Sequence, residues 1–205
     1  MGTTAMDNPS FPRRDPAELL DFIRGRRSFK PKVLGPPFPD RRLIESFVAT
    51  ALTAPDHGML RPWRILKIEA SGRARLENAF EAAAREADPA APAEILSAAR
   101  KKAFDCPCLL AAIAIIDPDH PHIPQSEQWI AVGAALHNFL LAAHAYGFAG
   151  AILSGKRVVS RALRDAFDLA DHEHLVGFIP LGTPTIPPKP RPQGKVAEHL
   201  QNWPP

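Results

Sequence analysis

The sequence predicts a fold of both helices and strands, in the order ααβααβαβαβ, and three segments carry this prediction. Across residues 43–52, apolar side chains recur at the three- and four-residue spacing of a helix packed along one side. An unbroken apolar run over residues 108–116 is typical of a strand buried on both faces. Residues 125–146 are apolar over much of a long helical surface, which predicts a core or interface helix.

The other elements follow from caps, stops and shorter patterns. Asp15 and Pro16 open a first helix that should end between residues 25 and 28, and Asp40 should cap the helix of residues 43–52. Ser71 and Pro92 mark the starts of two further helices. The remaining predicted elements are strands over residues 63–69, 149–153 and 175–181, and a short helix over residues 160–167 capped by Ser160.

The length of 205 residues predicts one domain over residues 15–205. Residues 1–14 are polar, contain prolines and lack periodicity, so they predict a flexible N-terminal tail. From about residue 183 onward, seven prolines make a compact unit unfavourable. We therefore expect an extended C-terminal arm there, which could lie across another subunit.

Composition excludes several classes of protein. The 25 basic and 22 acidic side chains give a net charge of +3 and are scattered, which disfavours nucleic-acid binding. Cys106 and Cys108 have neither the spacing of a zinc site nor partners for a disulfide scaffold, so a reducing compartment is favoured. With no apolar leader and no segment of roughly 20 apolar residues, we expect a cytoplasmic protein without membrane contact.

Several catalytic signatures are missing from the sequence. It has no G-x-G-x-x-G motif, Walker A loop, H-E-x-x-H or G-x-S-x-G, which counts against dehydrogenases of the Rossmann type, P-loop enzymes and serine hydrolases. Two H-x-H pairs occur, His120 with His122 and His172 with His174. Neither has a nearby third ligand, so we predict surface histidines and no metal site.

Arg26, Arg27 and Ser28 stand where the first helix gives way to a proline-rich loop. Two guanidinium groups and a hydroxyl at one bend suit a phosphate, because each arginine can donate paired charge-assisted hydrogen bonds. The alternative is purely structural, since basic residues at the end of a helix also complement its dipole. The triplet alone does not decide between the two.

Three further motifs follow R-R-S in a fixed order. They are A-P-D-H-x-x-x-x-P-W over residues 54–63, Ser154-Gly155 preceded by A-A-H-A-Y-G-F over residues 142–148, and L-G-T-P leading into Lys189-Pro190-Arg191. In this combination the sequence resembles the nitroreductase family, and its short bacterial branch in particular, over residues 19–191. The resemblance implies an α+β fold: a mixed, mostly antiparallel sheet surrounded by helices.

The resemblance also implies an FMN-dependent oxidoreductase that takes hydride from NADH or NADPH and reduces a nitroaromatic, a quinone or a similar small acceptor. It implies a homodimer whose FMN sites are shared between subunits. The residues implied to contact FMN are Arg26, Arg27 and Ser28 at the phosphate and pyrimidine edge, Thr53 and His57 from the partner chain, Ile152, Leu153, Ser154 and Gly155 beside the ring, and Arg191 at the phosphate. His57 is a candidate catalytic residue that could steer a substrate or a proton, or it could only hydrogen-bond the flavin edge.

Three residues near the implied flavin ring depart from this branch. It carries an arginine where Thr53 stands and Trp-Arg where Ile152-Leu153 stand, so a cation near the flavin ring is lost. This leaves an alternative of another class, a protein that binds or sequesters flavin without nitroreductase turnover. A third alternative, a Rossmann-like nucleotide binder without flavin, is disfavoured by the missing glycine motif.

Overall fold

The computed structural model describes residues 15–192 and 194–203, so the predicted tail over residues 1–14 lies outside the described residues. The α-helices within these ranges are α1 (Pro16–Gly25), α2 (Arg41–Ala51), α3 (Arg73–Ala87), α4 (Ala93–Lys101), α5 (Gln125–Ala145) and α6 (Arg161–Ala166). The strands are β1 (Leu34–Gly35), β2 (Trp63–Lys67), β3 (Cys108–Ile115), β4 (Ala149–Gly150) and β5 (Glu173–Pro184).

The strands form one sheet in the order β1-β5-β3-β2, and β4 also pairs with β5. Every pairing between these strands is antiparallel, and one isolated parallel bridge joins Ser28 to Gly150. Helices cover the sheet on both sides, which confirms the α+β fold with a mixed, mostly antiparallel sheet.

Strand β3 lies between β2 and β5, and the first seven of its eight residues are buried. Its side chains alternate between two cores, as the two-residue period of a strand requires. Leu110 and Ala112 pack with Phe47 of α2 and Phe139 of α5 on one face. On the other face, β3 packs with α3 and α6 through apolar side chains that include Leu76, Leu109, Ile113, Leu163 and Phe178.

Three of the four predicted helix caps are confirmed. The side chains of Asp15, Asp40 and Ser160 accept hydrogen bonds from backbone N–H groups in the first turns of α1, α2 and α6. The prediction for Ser71 was wrong. Residues Ala70–Gly72 form a 3-10 turn, so Gly72 precedes α3 and no side chain caps that helix.

Strand boundaries differ most from the predictions. The predicted strand over residues 149–153 is only Ala149–Gly150, although Leu153 re-joins the sheet through a bridge to Phe178. Strand β1 was missed because two residues in a proline-rich loop carry no periodic pattern. Strand β1 pairs with the end of β5, which therefore extends to Pro184. Beyond Pro184, the described residues form one 3-10 turn, Val196–Glu198, and no further strand.

Gln128 connects α5 to the loop before it. Its side-chain amide is buried, donates to the backbone carbonyls of Asp117 and Ile123 at 2.8 and 3.0 Å, and accepts from the N–H of Asp117 at 2.8 Å. A buried polar side chain that satisfies three backbone contacts fixes the loop in one conformation.

Helix α1 does not bury the apolar face that its sequence predicts. No residue of α1 is buried, and Leu19, Leu20 and Ile23 each keep nearly half of their surface exposed. Among the residues that the structure describes, no helix has the length and apolar character needed to cross a membrane.

Candidate functional site

The site is built on two chain segments that lie side by side, residues 26–30 after α1 and residues 150–155 after β4. The bridge between Ser28 and Gly150 joins them, and the N–H of Phe29 donates to the Gly150 carbonyl at 3.3 Å. Gly150 permits this arrangement because a Cβ at that position would overlap the Pro180 carbonyl oxygen behind it.

Three arginines gather at one end of the paired segments: Arg26, Arg27 and Arg191, the arginine cluster. Burial lowers the pKa of Arg26 first, and the positive charges of Arg191 and Arg27 lower it further. In the described part of the chain, no ion pair with a carboxylate involves any of the three. The cluster therefore holds like charges that an anion would neutralise.

Arg27 also carries a polar atom without a partner. One of its terminal nitrogens donates to the carbonyls of Arg24 and Arg26, whereas its Nε is buried and forms no hydrogen bond with any described residue. A buried N–H without an acceptor is costly, so it indicates a position where a ligand supplies the acceptor.

A cavity of about 200 Å³, the small cavity, lies beside the arginine cluster. Arg26, Arg27, Phe29, Gly150 and His144 are among its lining residues. The His144 ring stacks on Phe22 with centroids 5.0 Å apart. Burial lowers the pKa of His144, and the charges of Arg26 and Arg27 lower it further, so the histidine adds no charge to the cluster near neutral pH.

A second cavity of about 880 Å³, the large cavity, begins where the paired segments continue. Lys30 lines it from the first segment, and residues 152–155 line it from the second. Phe80, Leu109 and Phe178 contribute an apolar surface. Because Phe29 and Gly150 line the small cavity, the two cavities are reached along the same segments within two residues.

Hydrogen bonds around residues 153–155 decide which backbone groups are available to a ligand. The N–H of Leu153 donates to the Phe178 carbonyl at 2.8 Å, and the hydroxyl of Ser154 donates to the Val176 carbonyl at 2.6 Å. The N–H groups of Ser154 and Gly155 donate to no other described residue. A Cβ on Gly155 would meet no atom within 4 Å, so the segment borders open space here.

Thr53 and His57 lie away from both cavities in this chain. Thr53 follows α2, is exposed, and donates its hydroxyl to the Thr50 carbonyl at 2.8 Å. His57 is also exposed, and its Nδ1 lies 2.7 Å from Glu127 Oε2 at the start of α5. Neither residue lines the large or the small cavity of its own chain.

The structure thus places eight of the ten predicted contact residues on the paired segments or in the arginine cluster, and leaves Thr53 and His57 elsewhere. Sequence reasoning missed Lys30, which lies two residues after Ser28 in extended backbone. Alternation in an extended segment was the signal that could have found it. Sequence reasoning also missed Lys156 and Arg157, which directly follow Gly155 and line the large cavity.

One histidine of each H-x-H pair makes a contact that stabilises the fold. The Nδ1 of His120 accepts from the N–H of Ile123 at 3.0 Å and closes its loop, and the His174 ring packs against Trp129 with centroids 5.6 Å apart. Within residues 15–192 and 194–203, no group of three or more potential ligands could hold a metal ion.

A cluster of arginines that lacks an anion, next to a larger cavity with an apolar surface, suits a ligand with a phosphate at one end and a flat ring at the other. FMN has this shape. The residues present fit it, since Arg27 Nε lacks an acceptor among the described residues, and the N–H groups of Ser154 and Gly155, two residues that line the large cavity, donate to no other described residue. The fold and the site therefore define a protein that binds a phosphorylated ring cofactor.

Comparison with known proteins identifies the family. The family model described as "Nitroreductase family" matches residues 23–183. A Haemophilus influenzae protein provisionally named as an NAD(P)H nitroreductase is 34% identical over 166 residues, which cover 81% of this chain and 88% of that protein. The chain belongs to the nitroreductase family of FMN-dependent oxidoreductases.

Solved structures have the same fold. A nitroreductase-like family protein from Bacillus cereus superposes with a TM-score of 0.77 at 21% identity, and the match covers 94% of this chain and 98% of that one. A variant of an FMN- and NADPH-dependent nitroreductase from Sphigopyxis sp. strain HMH superposes with a TM-score of 0.68 at 18% identity, covering 90% and 98%.

Proposed function

We propose that the protein oxidises NADH or NADPH and reduces a small acceptor, such as a quinone or a nitroaromatic compound, through FMN held along the paired segments. One observation carries the proposal: the segment that carries Arg26 and Arg27, whose Nε has no partner among the described residues, continues at Lys30 into the lining of a cavity large enough for a ring system and a second ligand. Its volume of about 880 Å³ is near the upper end of roughly 300–1,000 Å³ for small-molecule sites.

Different residues would contact the two ends of the cofactor. Arg26, Arg27, Ser28 and Arg191 would hold the phosphate end, where the charge of the cluster is concentrated. Ile152, Leu153, Ser154 and Gly155 would lie beside the ring, and the Ser154 and Gly155 N–H groups would donate to its edge. Lys30 would bring a positive charge to the ring end of the site.

Bound FMN would supply the redox chemistry, namely hydride transfer at N5 between NAD(P)H and the acceptor. The protein orients both partners and limits access of water, so no side chain has to act as a nucleophile. His57 is the candidate for steering a substrate or a proton. Its contact with Glu127 holds the ring by Nδ1, which leaves Nε2 directed elsewhere.

We propose a homodimer in which Thr53 and His57 reach the flavin of the partner subunit. Their positions outside both cavities of their own chain support this arrangement. The exposed apolar residues of α1, together with Trp129 and Ile130 on α5, support a surface that is covered in the assembly. Light scattering should give twice the chain mass of 22.4 kDa, and a monomer would contradict the proposal.

The visible spectrum of the purified protein tests the function. We expect a flavin spectrum, or one that appears after FMN is added, and anaerobic NADH or NADPH should bleach it. Steady-state oxidation of NAD(P)H should then depend on added menadione or nitrofurazone. A colourless protein that cannot be reconstituted with FMN would contradict the proposal.

A protein that binds flavin without turnover is the second candidate. Thr53 and Leu153 favour it, because both stand where the related branch has cations and so stabilise a reduced, anionic ring less well. A flavin spectrum that anaerobic NAD(P)H does not bleach would select this candidate.

We also propose that residues 15–205 act as one domain in the cytoplasm. Strand β5 pairs with β1, β3 and β4, which come from widely separated parts of the chain and support a single unit. Cys106 and Cys108 are both free and buried, which suits a reducing compartment. Limited proteolysis should leave a single core, and two separately stable fragments would contradict one domain.

A further inference from the structure

The large cavity has more positive charge than the proposed cofactor contacts use. Five basic side chains line it, against the single carboxylate of Asp105: Lys30, Lys32, Lys102, Lys156 and Arg157. Of these, only Lys30 is assigned to the flavin in the proposed function. The other four lie on the 3-10 turn before β1, at the C-terminal end of α4, and directly after Gly155.

Contacts within the described part of the chain do not account for these charges. Within the described residues, none of the five forms an ion pair or donates a side-chain hydrogen bond, whereas the neighbouring Arg100 of α4 binds Glu77 and Glu81 at 2.8 and 3.3 Å. Basic side chains without acidic partners around an open cavity raise the local concentration of anions. Their arrangement is therefore explained better by a ligand than by stability.

Three of these cations line the large cavity from α4 and from the residues after Gly155: Lys102, Lys156 and Arg157, the cationic wall. Lys156 and Arg157 follow the ring-binding segment in sequence, and Lys102 reaches the same cavity from α4. The apolar surface of Phe80, Leu109 and Phe178 belongs to the same cavity. A ligand in this cavity meets an apolar surface and positive charge together.

We propose that the cationic wall is a subsite for the anionic group of the second ligand, so that this enzyme acts on flat ring compounds carrying a phosphate or a carboxylate. The ring would lie against the flavin beside Ser154 and Gly155, and the anionic group would bind Lys102, Lys156 and Arg157. This inference rests on the proposed function, because it needs the flavin ring at that end of the cavity. Two kinds of ligand supply such an anionic group: NADPH through its additional phosphate, and an acceptor through an acidic substituent.

Matched ligand pairs distinguish these sources. The FMN-loaded protein is titrated with 4-nitrobenzoate and with its neutral methyl ester, and separately with NADP⁺ and NAD⁺, by isothermal calorimetry. Steady-state kinetics then compare 4-nitrobenzoate with the ester at fixed donor, and NADPH with NADH at fixed menadione. At least one anionic ligand should bind more tightly than its partner, and rising salt should weaken that preference.

The variant that tests the subsite is Lys102→Gln combined with Arg157→Gln, and Lys101→Gln is the matched control. Lys101 is exposed on the same turn of α4 but does not line the large cavity. Hydrogen bonds to charged groups contribute enough that the double variant should lower the preference for the anionic ligand about tenfold. The control should keep the preference of the unchanged protein.

A loss confined to the donor pair assigns the subsite to NADPH, and a loss confined to the acceptor pair assigns it to an acidic acceptor. An unchanged preference for both pairs in the double variant overturns the proposal, as does an equal loss in the Lys101→Gln control. Failure of the proposed function looks different: the protein then does not retain FMN, or its flavin is not bleached by either donor. The calorimetric preference is measured independently of turnover, so the two failures are distinguishable.

Discussion

Replacing Arg26 with glutamine should change FMN affinity and the stability of the FMN-free protein in opposite directions. Arg26 is part of the arginine cluster; burial lowers its pKa first, and the charges of Arg191 and Arg27 lower it further. Its side chain forms no hydrogen bond with any other residue in the described part of the chain. The substitution therefore removes a proposed phosphate ligand and a source of repulsion without breaking a side-chain hydrogen bond or ion pair of the described residues.

The two magnitudes follow from different interactions. A hydrogen bond to a charged group contributes about 1.5–3 kcal/mol, so loss of the Arg26 contact should raise the Kd for FMN about 10- to 100-fold. Relief of repulsion at a partly exposed site contributes up to about 1 kcal/mol. For a chain of this length, that corresponds to a rise in the Tm of the FMN-free protein of roughly 2–4 °C.

Quenching of free FMN fluorescence gives the Kd, and differential scanning calorimetry on the FMN-free protein gives the Tm. Arg24→Gln is the matched control, because Arg24 lies on the same helix end but is exposed and pairs with Asp21 at 3.4 Å. The control should change the Kd by no more than about twofold. An unchanged Kd in Arg26→Gln, or a clear fall in its Tm, would refute the assignment of this cluster to the phosphate.

Three further predictions test the scaffold. Gln128→Leu leaves buried backbone groups of the loop before α5 without hydrogen-bond partners. It should therefore lower the free energy of unfolding, measured by urea denaturation, by at least about 2 kcal/mol. An unchanged denaturation midpoint would contradict this prediction. Arg64 donates to both carboxylate oxygens of Glu173 and lowers its pKa below 4.5, so this pair stabilises the fold above that pH and less so as pH falls through the lowered pKa. Glu173→Gln should therefore cost about 1 kcal/mol at pH 7 and much less near pH 3 in thermal unfolding, and an equal cost at both would argue against the ion pair. Gly150→Ala should lower both the FMN content and the Tm, because the added Cβ would overlap the Pro180 carbonyl oxygen. Gly155→Ala is the control, since its Cβ would meet no atom within 4 Å, and it should keep the Tm of the FMN-free protein. Equal changes of Tm in the two variants would rule out the close approach at Gly150.

Strong local patterns predicted the central elements of the fold. The apolar run of β3 and the caps of α1 and α2 were correct because burial on both faces and cap hydrogen bonds are written in adjacent residues. Elements defined by distant partners were missed or misplaced. Strand β1 has two residues and exists because it pairs with the end of β5, and a local pattern contains no information on that partner.

The basic residues around α4 show that a local sequence pattern does not determine the role of each residue at the site either. Arg100, Lys101 and Lys102 are adjacent in sequence and look alike. In the structure Arg100 binds two glutamates of α3, Lys101 is exposed, and Lys102 lines the large cavity. Only the packing of α4 against α3 separates these roles, because the direction of each side chain depends on the helix that covers its neighbours.

The sequence by itself determined the family, the order of most elements and the R-R-S segment, because these depend on residues close together in the chain. Tertiary structure decided that Ser28 pairs with Gly150, that Arg191 joins Arg26 and Arg27, and that the same two segments contribute to the lining of both cavities. The physical reason is that a binding site depends on distances between groups far apart in sequence, and these distances exist only after the sheet has brought the segments together.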